Sequence, residues 1–147
     1  MTREMAGVQL ASRIKELFPN AVTGSNATDA WVEPEVLVDV ARFLKETPDL
    51  DFQFLTSITA VDYIEYFELV YHLSSMRRNQ SAIIKTRCFG RTEPVIASLV
   101  DVWKGAELQE REVWDLMGIR FEGHPNMKRI LLWEEFPGHP LRKDYLR

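Results

Sequence analysis

The sequence predicts an α+β fold, a two-layer α/β sandwich in the order helix, two strands, helix, three strands, helix, ending in a long C-terminal extended arm. Three observations carry this expectation. Apolar residues recur at helical spacing in two stretches, each stopped by a proline, Pro19 and Pro48. From Phe52 to Cys88 the period falls to two, the alternation of half-buried strands. Beyond residue 119 neither period persists.

The first helix is expected over Met5 to Phe18, where Leu10, Ile14, Leu17 and Phe18 form one apolar stripe. Ala21-Val22-Thr23 and Ala30-Trp31-Val32 read as short strands around a turn at Gly24-Ser25-Asn26. Pro34 suits the first turn of the second helix, because its missing N–H would have no partner there. Leu37, Val40, Ala41 and Leu44 give that helix its buried face, and Thr47-Pro48 ends it. A strand then runs from Phe52 and Phe54 through Ile58. The next follows Asp62-Tyr63 with Phe67, Leu69, Tyr71 and Leu73, and a third holds Ile84, Thr86 and Cys88 after a turn at Arg77-Arg78-Asn79. These short connections imply an antiparallel meander. A last helix spans Ala106 to Met117 and stops at Gly118, a C-terminal glycine. Residues 1–118 are therefore the body and 119–147 an arm belonging to the same domain unit.

Composition narrows the function. With 46% hydrophobic and 27% charged residues the chain is that of a globular protein. Residues 1–119 carry 12 Lys/Arg against 18 Asp/Glu, and residues 120–147 carry six against four, so an acidic body ends in a mildly basic tail. That is too sparse for a nucleic-acid interface but suited to an acidic protein surface. Cys88 stands alone, so neither an internal disulfide nor a cysteine-held metal is available to this chain. Charges within the first 18 residues break any leader-like apolar run, and no stretch reaches the roughly 18 apolar residues that span a bilayer.

The arm repeats itself. Phe121 to Arg129 reads FEGHPNMKR and Phe136 to Asp144 reads FPGHPLRKD, an offset of 15 residues. Each copy sets an aromatic residue, then Gly-His-Pro, then a cation, so each is a sharp bend. Ile130-Leu131-Leu132-Trp133 lies between them as an apolar run in a region that otherwise reads as coil. The preceding helix, ELQEREVWDLMG, leaves two readings open. Arg111 can pair with Glu107 and Asp115 on a solvated face. Alternatively Glu110, on a stripe with Ala106, Val113 and Met117, is drawn inward and needs Arg120, Arg129 or Arg142 as partner.

No nucleophile motif or glycine-rich phosphate loop is present. The Glu110–Glu112 and Glu134–Glu135 pairs read as surface charges. His124, His139 and Asp144 could be drawn as the ligands of a small metal-dependent hydrolase, but without recognised ligand spacing. His72 alternates with the apolar residues of its strand.

The stretch EREVWDLMGIRFEGHPNMKRILLWEEFPGHPLRKDY, Glu110 to Tyr145, resembles the signature of the C-type subunits of respiratory complex I, the NADH-quinone oxidoreductase. LTSITAVDY from Leu55, FELVYHLSS from Phe67 and the VWKGAELQERE lead-in are similar to it as well. Met117 and Trp133 stand where relatives often carry other residues, and the chain is expected to be separate from the quinone-site subunit, to which some relatives are fused. The resemblance implies a non-catalytic subunit that binds no cofactor itself. Its complex passes electrons through iron–sulfur clusters to a quinone, with FMN and NADH in a full complex I, and couples this to proton pumping. It implies a peripheral position on the cytoplasmic side of the energy-transducing membrane, reached only through the complex. The arm would lie over the quinone-site subunit, near the subunit with the terminal cluster. Equivalent subunits serve related ferredoxin-, deazaflavin- or hydrogenase-linked complexes. The candidate docking residues are Glu110, Arg111, Asp115 and Gly118 on the helix, and His124, Pro125, Arg129, Leu131 and Trp133 around the first bend. Around the second they are Gly138, His139, Pro140, Arg142, Lys143, Asp144 and Tyr145. In this reading Ile130 to Trp133 supply apolar anchors, while Arg129, Arg142 and Lys143 set register against acidic groups of the partner.

Overall fold

Leu10, Ala11 and Ile14 of the first helix and Leu37, Val40, Ala41 and Leu44 of the second are buried in one core, but Leu17, expected in the first stripe, is 59% exposed and Phe18 is half-buried. A computed structural model describes residues 2–133 and 136–145. In chain order the elements are β1 (Arg3–Glu4), α1 (Gly7–Leu17), β2 (Val22–Ser25) and β3 (Asp29–Val32). A 3₁₀ turn at Pro34–Val36 leads into α2 (Leu37–Glu46), followed by β4 (Phe54–Asp62), β5 (Phe67–Ser75), β6 (Gln80–Cys88) and β7 (Val95–Ala97). The series closes with α3 (Ala106–Met117) and β8 (Arg120–Glu122).

The main sheet has the order β2-β3-β6-β5-β4. The meander expected from the period-two region is present, with β4 antiparallel to β5 and β5 antiparallel to β6. Its register places Ile58 opposite Tyr71 and Tyr71 opposite Ile84, one apolar row facing the helices. The sheet is nevertheless mixed, because β3 and β1 both run parallel to β6 and lie end to end along its edge. Glu68 and Lys85 point to the opposite face, where Lys85 reaches Asp29 at 2.8 Å and the Trp31 indole N–H donates to Glu68 at 3.0 Å.

Three local expectations shift. Gly24 and Ser25 belong to β2, and the turn moves on to Asn26, whose Oδ1 accepts from the N–H groups of Thr28 and Asp29. Phe52 is buried but precedes its strand, its N–H going to the Leu44 carbonyl of α2. β4 runs on past Ile58 to Asp62. The core also continues beyond Gly118. Ile119 and Phe121 are buried, and β8 pairs in parallel with β7, so the body–arm boundary drawn at Gly118 falls inside this packing.

Candidate docking site

α3 presents two buried carboxylates, and they do different things. Glu110 sits with Ala106, Val113 and Met117 on the face toward the sheet and is fully buried. Its partners are the Ser98 hydroxyl at 2.6 Å and the Leu99 N–H at 2.8 Å, not Arg120, Arg129 or Arg142. Burial pushes its carboxyl up to about 7, against the pull of these two donors. The Tyr71 hydroxyl shares this interior and, among the described residues, makes no hydrogen bond. Glu110 therefore holds the β7–α3 connection to the helix, and the arginine partner expected for it belongs elsewhere.

That place is Asp115. It lies off the apolar stripe and yet has no exposed surface. Its Oδ2 accepts from three consecutive backbone N–H groups, Ile130 at 3.2 Å, Leu131 at 2.7 Å and Leu132 at 2.9 Å. Arg129 Nη1 lies 3.3 Å from Oδ1. Arg111, one turn back, does not pair with Asp115. It donates to the carbonyls of Lys128 and Arg129, each at 3.0 Å. The i, i+4 pair thus grips the arm with both members, one taking its amides and the other its carbonyls.

The two Gly-His-Pro bends bind the same helix. His124 Nδ1 accepts from the Asn126 N–H at 2.9 Å, which leaves the ring proton on Nε2, 2.9 Å from the Glu107 carbonyl. His139 Nδ1 contacts the Asp115 carbonyl at 2.9 Å and must carry the proton there. Leu141 N–H reaches the Leu116 carbonyl at 2.9 Å. These last two contacts satisfy carbonyls that the end of α3 leaves without helical partners. Burial lowers the His139 pKa, helped by Arg129 and Arg142 nearby, so the ring stays neutral. The two carbonyl anchors lie eight positions apart on the helix, about 12 Å, and both nitrogens of His124 are used, which does not suit a shared metal ion. Among the described residues no group of three or more His, Cys, Asp or Glu side chains is arranged to hold one.

Gly118 fits between helix and arm for two reasons. Its φ of +76° caps α3 in the left-handed region, and a Cβ there would stand 2.7 Å from the His139 ring. Gly138 repeats the logic, with φ +81° and a Cβ position 2.8 Å from the Tyr145 ring.

The arm's end has a second latch. Asp62, nearly fully buried, forms a two-pronged pair with Arg91 at 2.5 and 3.0 Å and accepts from the Lys143 N–H at 2.8 Å. Burial alone would raise its carboxyl, but Arg91 and the amides of Lys143 and Ile64 hold it down at about 2. Asp144 pairs with Arg91 at 2.9 Å and Arg142 at 3.1 Å, and Arg142 also donates to the Arg91 carbonyl. Arg142 and Arg129 are thus spent within the chain instead of being presented to a partner. Among the candidate residues, Pro125, Gly138 and Lys143 are exposed and Pro140 and Tyr145 half-buried. Glu134 and Glu135 lie outside the described residues. Asp62 and Arg91 escape sequence reading, being 81 and 53 positions from Lys143 and Asp144.

What the arm leaves outside is apolar. Leu131, Trp133 and Leu141 are 61%, 63% and 60% exposed, and Ile130 is 40% exposed. Trp133 packs edge-on against Phe136 at 4.8 Å, and Phe136 stacks on Tyr145 at 6.5 Å. Among the described residues no helix is long and apolar enough to cross a membrane.

Residues 30–147 match the family described as respiratory-chain NADH dehydrogenase, 30 Kd subunit. The chain is 43% identical over 139 residues to the C-type subunit of the NADH-quinone oxidoreductase of Roseiflexus sp. (strain RS-1), covering 90% of this chain and 79% of that one. It is 40% identical to the corresponding C-type subunit of Moorella thermoacetica, covering 90% of each. A C/D-type subunit of the NADH-quinone oxidoreductase of Sulfurihydrogenibium sp. (strain YO3AOP1) is 38% identical, and this chain spans 25% of its length. A solved chain of the membrane-bound sulfane sulfur reductase, an archaeal respiratory membrane complex, superposes with a TM-score of 0.78 at 28% identity, covering 94% of this chain and 84% of that one. Fold and matches together define a subunit of a respiratory membrane assembly. The chain belongs to the 30 Kd subunit family of respiratory-chain NADH dehydrogenase, whose members include the C-type subunits of NADH-quinone oxidoreductases.

Proposed function

We propose that this chain serves its respiratory complex as a docking subunit that binds no cofactor, and that the arm is the surface it offers to the quinone-site subunit. The observation that carries this is the arm's orientation. Its backbone is consumed by Asp115, Arg111 and Asp62, while Leu131, Trp133 and Leu141 face outward. Exposed apolar groups on a pre-ordered backbone are what a partner can cover at low ordering cost. The C/D-type relatives, in which the matched region is one quarter of a longer chain, support a neighbour joined or adjacent to it. The terminal-cluster subunit is the second neighbour in this reading. The chain then sits peripherally, on the cytoplasmic side of the membrane, through its partners.

Leu131→Asp tests this. The variant chain should melt like the parent, because the side chain touches solvent, yet fail to co-purify with the quinone-site subunit. Normal assembly of Leu131→Asp would remove the arm as the docking surface.

A further inference from the structure

The β4–β5 hairpin ends in Tyr63-Ile64-Glu65-Tyr66, and Ile64 adopts φ +74°. A β-branched residue in the left-handed region is strained, and asparagine or glycine would sit there more easily. The strained side chain is not buried to any advantage, since Ile64 is 62% exposed. Asp62 holds it there by accepting the Ile64 N–H at 2.8 Å, and the Tyr63 N–H closes the loop onto the Tyr66 carbonyl at 2.9 Å.

Around the tip is a row of aromatic rings. Tyr63 lies 5.4 Å from Tyr66, Tyr66 lies 5.5 Å from Phe89, and the Arg87 guanidinium covers Tyr66 at 4.8 Å. Tyr63 and Phe89 remain 48% and 66% exposed. Rigid aromatic groups beside an exposed aliphatic one are the usual make-up of an interface anchor. Position relates this patch to the arm. The Asp62 carboxylate that holds Ile64 with Oδ1 also holds the Lys143 N–H with Oδ2, so tip and arm end share one anchoring group. Arg87, over the Tyr66 ring and 4.0 Å from Glu68, is exposed, and so is Lys143, whose N–H the Asp62 carboxylate holds.

We propose that the hairpin tip is a second anchor of the same docking surface, with Ile64, Tyr63 and Phe89 entering an apolar recess of the quinone-site subunit bordered by carboxylates that meet Arg87 and Lys143. This rests on the arm reading above. The strain at Ile64 is retained because the side chain is used in the assembled state.

Ile64→Asn separates the two effects, since asparagine keeps the backbone and relieves it. The full chain carrying it should melt at the same temperature or higher, while its affinity for the quinone-site subunit falls about tenfold or more. Phe89→Ser, just past the end of β6, should weaken binding in the same direction. If Leu131→Asp abolishes association while both hairpin variants bind like the parent, the hairpin anchor is wrong and the arm reading stands. If all three bind like the parent, both are wrong. If Ile64→Asn lowers the melting temperature, the strain argument is overturned.

Discussion

The body and the arm solve the same physical problem in opposite ways. In the body, backbone groups pair with each other along β4, β5 and β6, and the large side chains Phe67, Leu69 and Tyr71 turn inward. In the arm, backbone groups pair with side chains of the body, and Leu131, Trp133 and Leu141 turn outward. Coil without a ladder still has to place its N–H and C=O groups, and here buried carboxylates and arginines receive them. The difference teaches that the order of an arm and the covering of its apolar surface are separable. The first is supplied within this chain, and the second is left for a neighbour.

The sharpest way to break that contrast is Asp115→Ala. It leaves three amides without their acceptor and removes the carboxylate oxygen 3.3 Å from Arg129, a loss of about 3 kcal/mol in holding the arm. Trypsin should then cut at Lys128 and Arg129 while the body up to Phe121 stays intact. Unchanged protease resistance would show that the arm is held by something other than Asp115.

A smaller effect separates Glu110 of α3 from the latch at Asp62 by pH. Glu110 titrates near 7 when folded, above its ordinary value of 4.5, so the folded protein binds the extra proton. Stability from this group is full below about 4.5 and is lost as pH rises to 7. Asp62 works the other way. Its folded pKa of about 2 lies below 3.8, so its contribution is present above 3.8 and lost as pH falls toward 2. Denaturant titrations of Glu110→Gln against the parent should remove the decline between pH 4.5 and 7 and leave the acid limb unchanged. A persistent decline in the variant would assign it to another group.

Much of the body was legible in the sequence because long elements repeat their pattern. The stripes of α1 and α2, the alternation in β5 and β6, and the stop of α3 at Gly118 each rest on several residues agreeing. β1, β7 and β8 are two or three residues long, too short to show a period, and their parallel pairings join distant parts of the chain. The doubled Gly-His-Pro was visible as two bends, but not that both histidines would meet carbonyls of one helix. Glu110 could be placed by its stripe with Ala106 and Val113. Asp115 could not, because it is buried by the arm and not by the side of the helix it occupies. Arg129 and Arg142 looked like groups held out to a partner because spacing cannot show that Asp115, Asp144 and the Arg91 carbonyl receive them first.

Amide hydrogen exchange at Ile130, Leu131 and Leu132 in the free chain tests most directly whether the arm is ordered before it docks. The three amides should already be protected without any partner and lose that protection in Asp115→Ala. Exchange at unfolded-chain rates in the free parent protein, with protection gained only in the assembled complex, would mean that the partner and not Asp115 orders the arm.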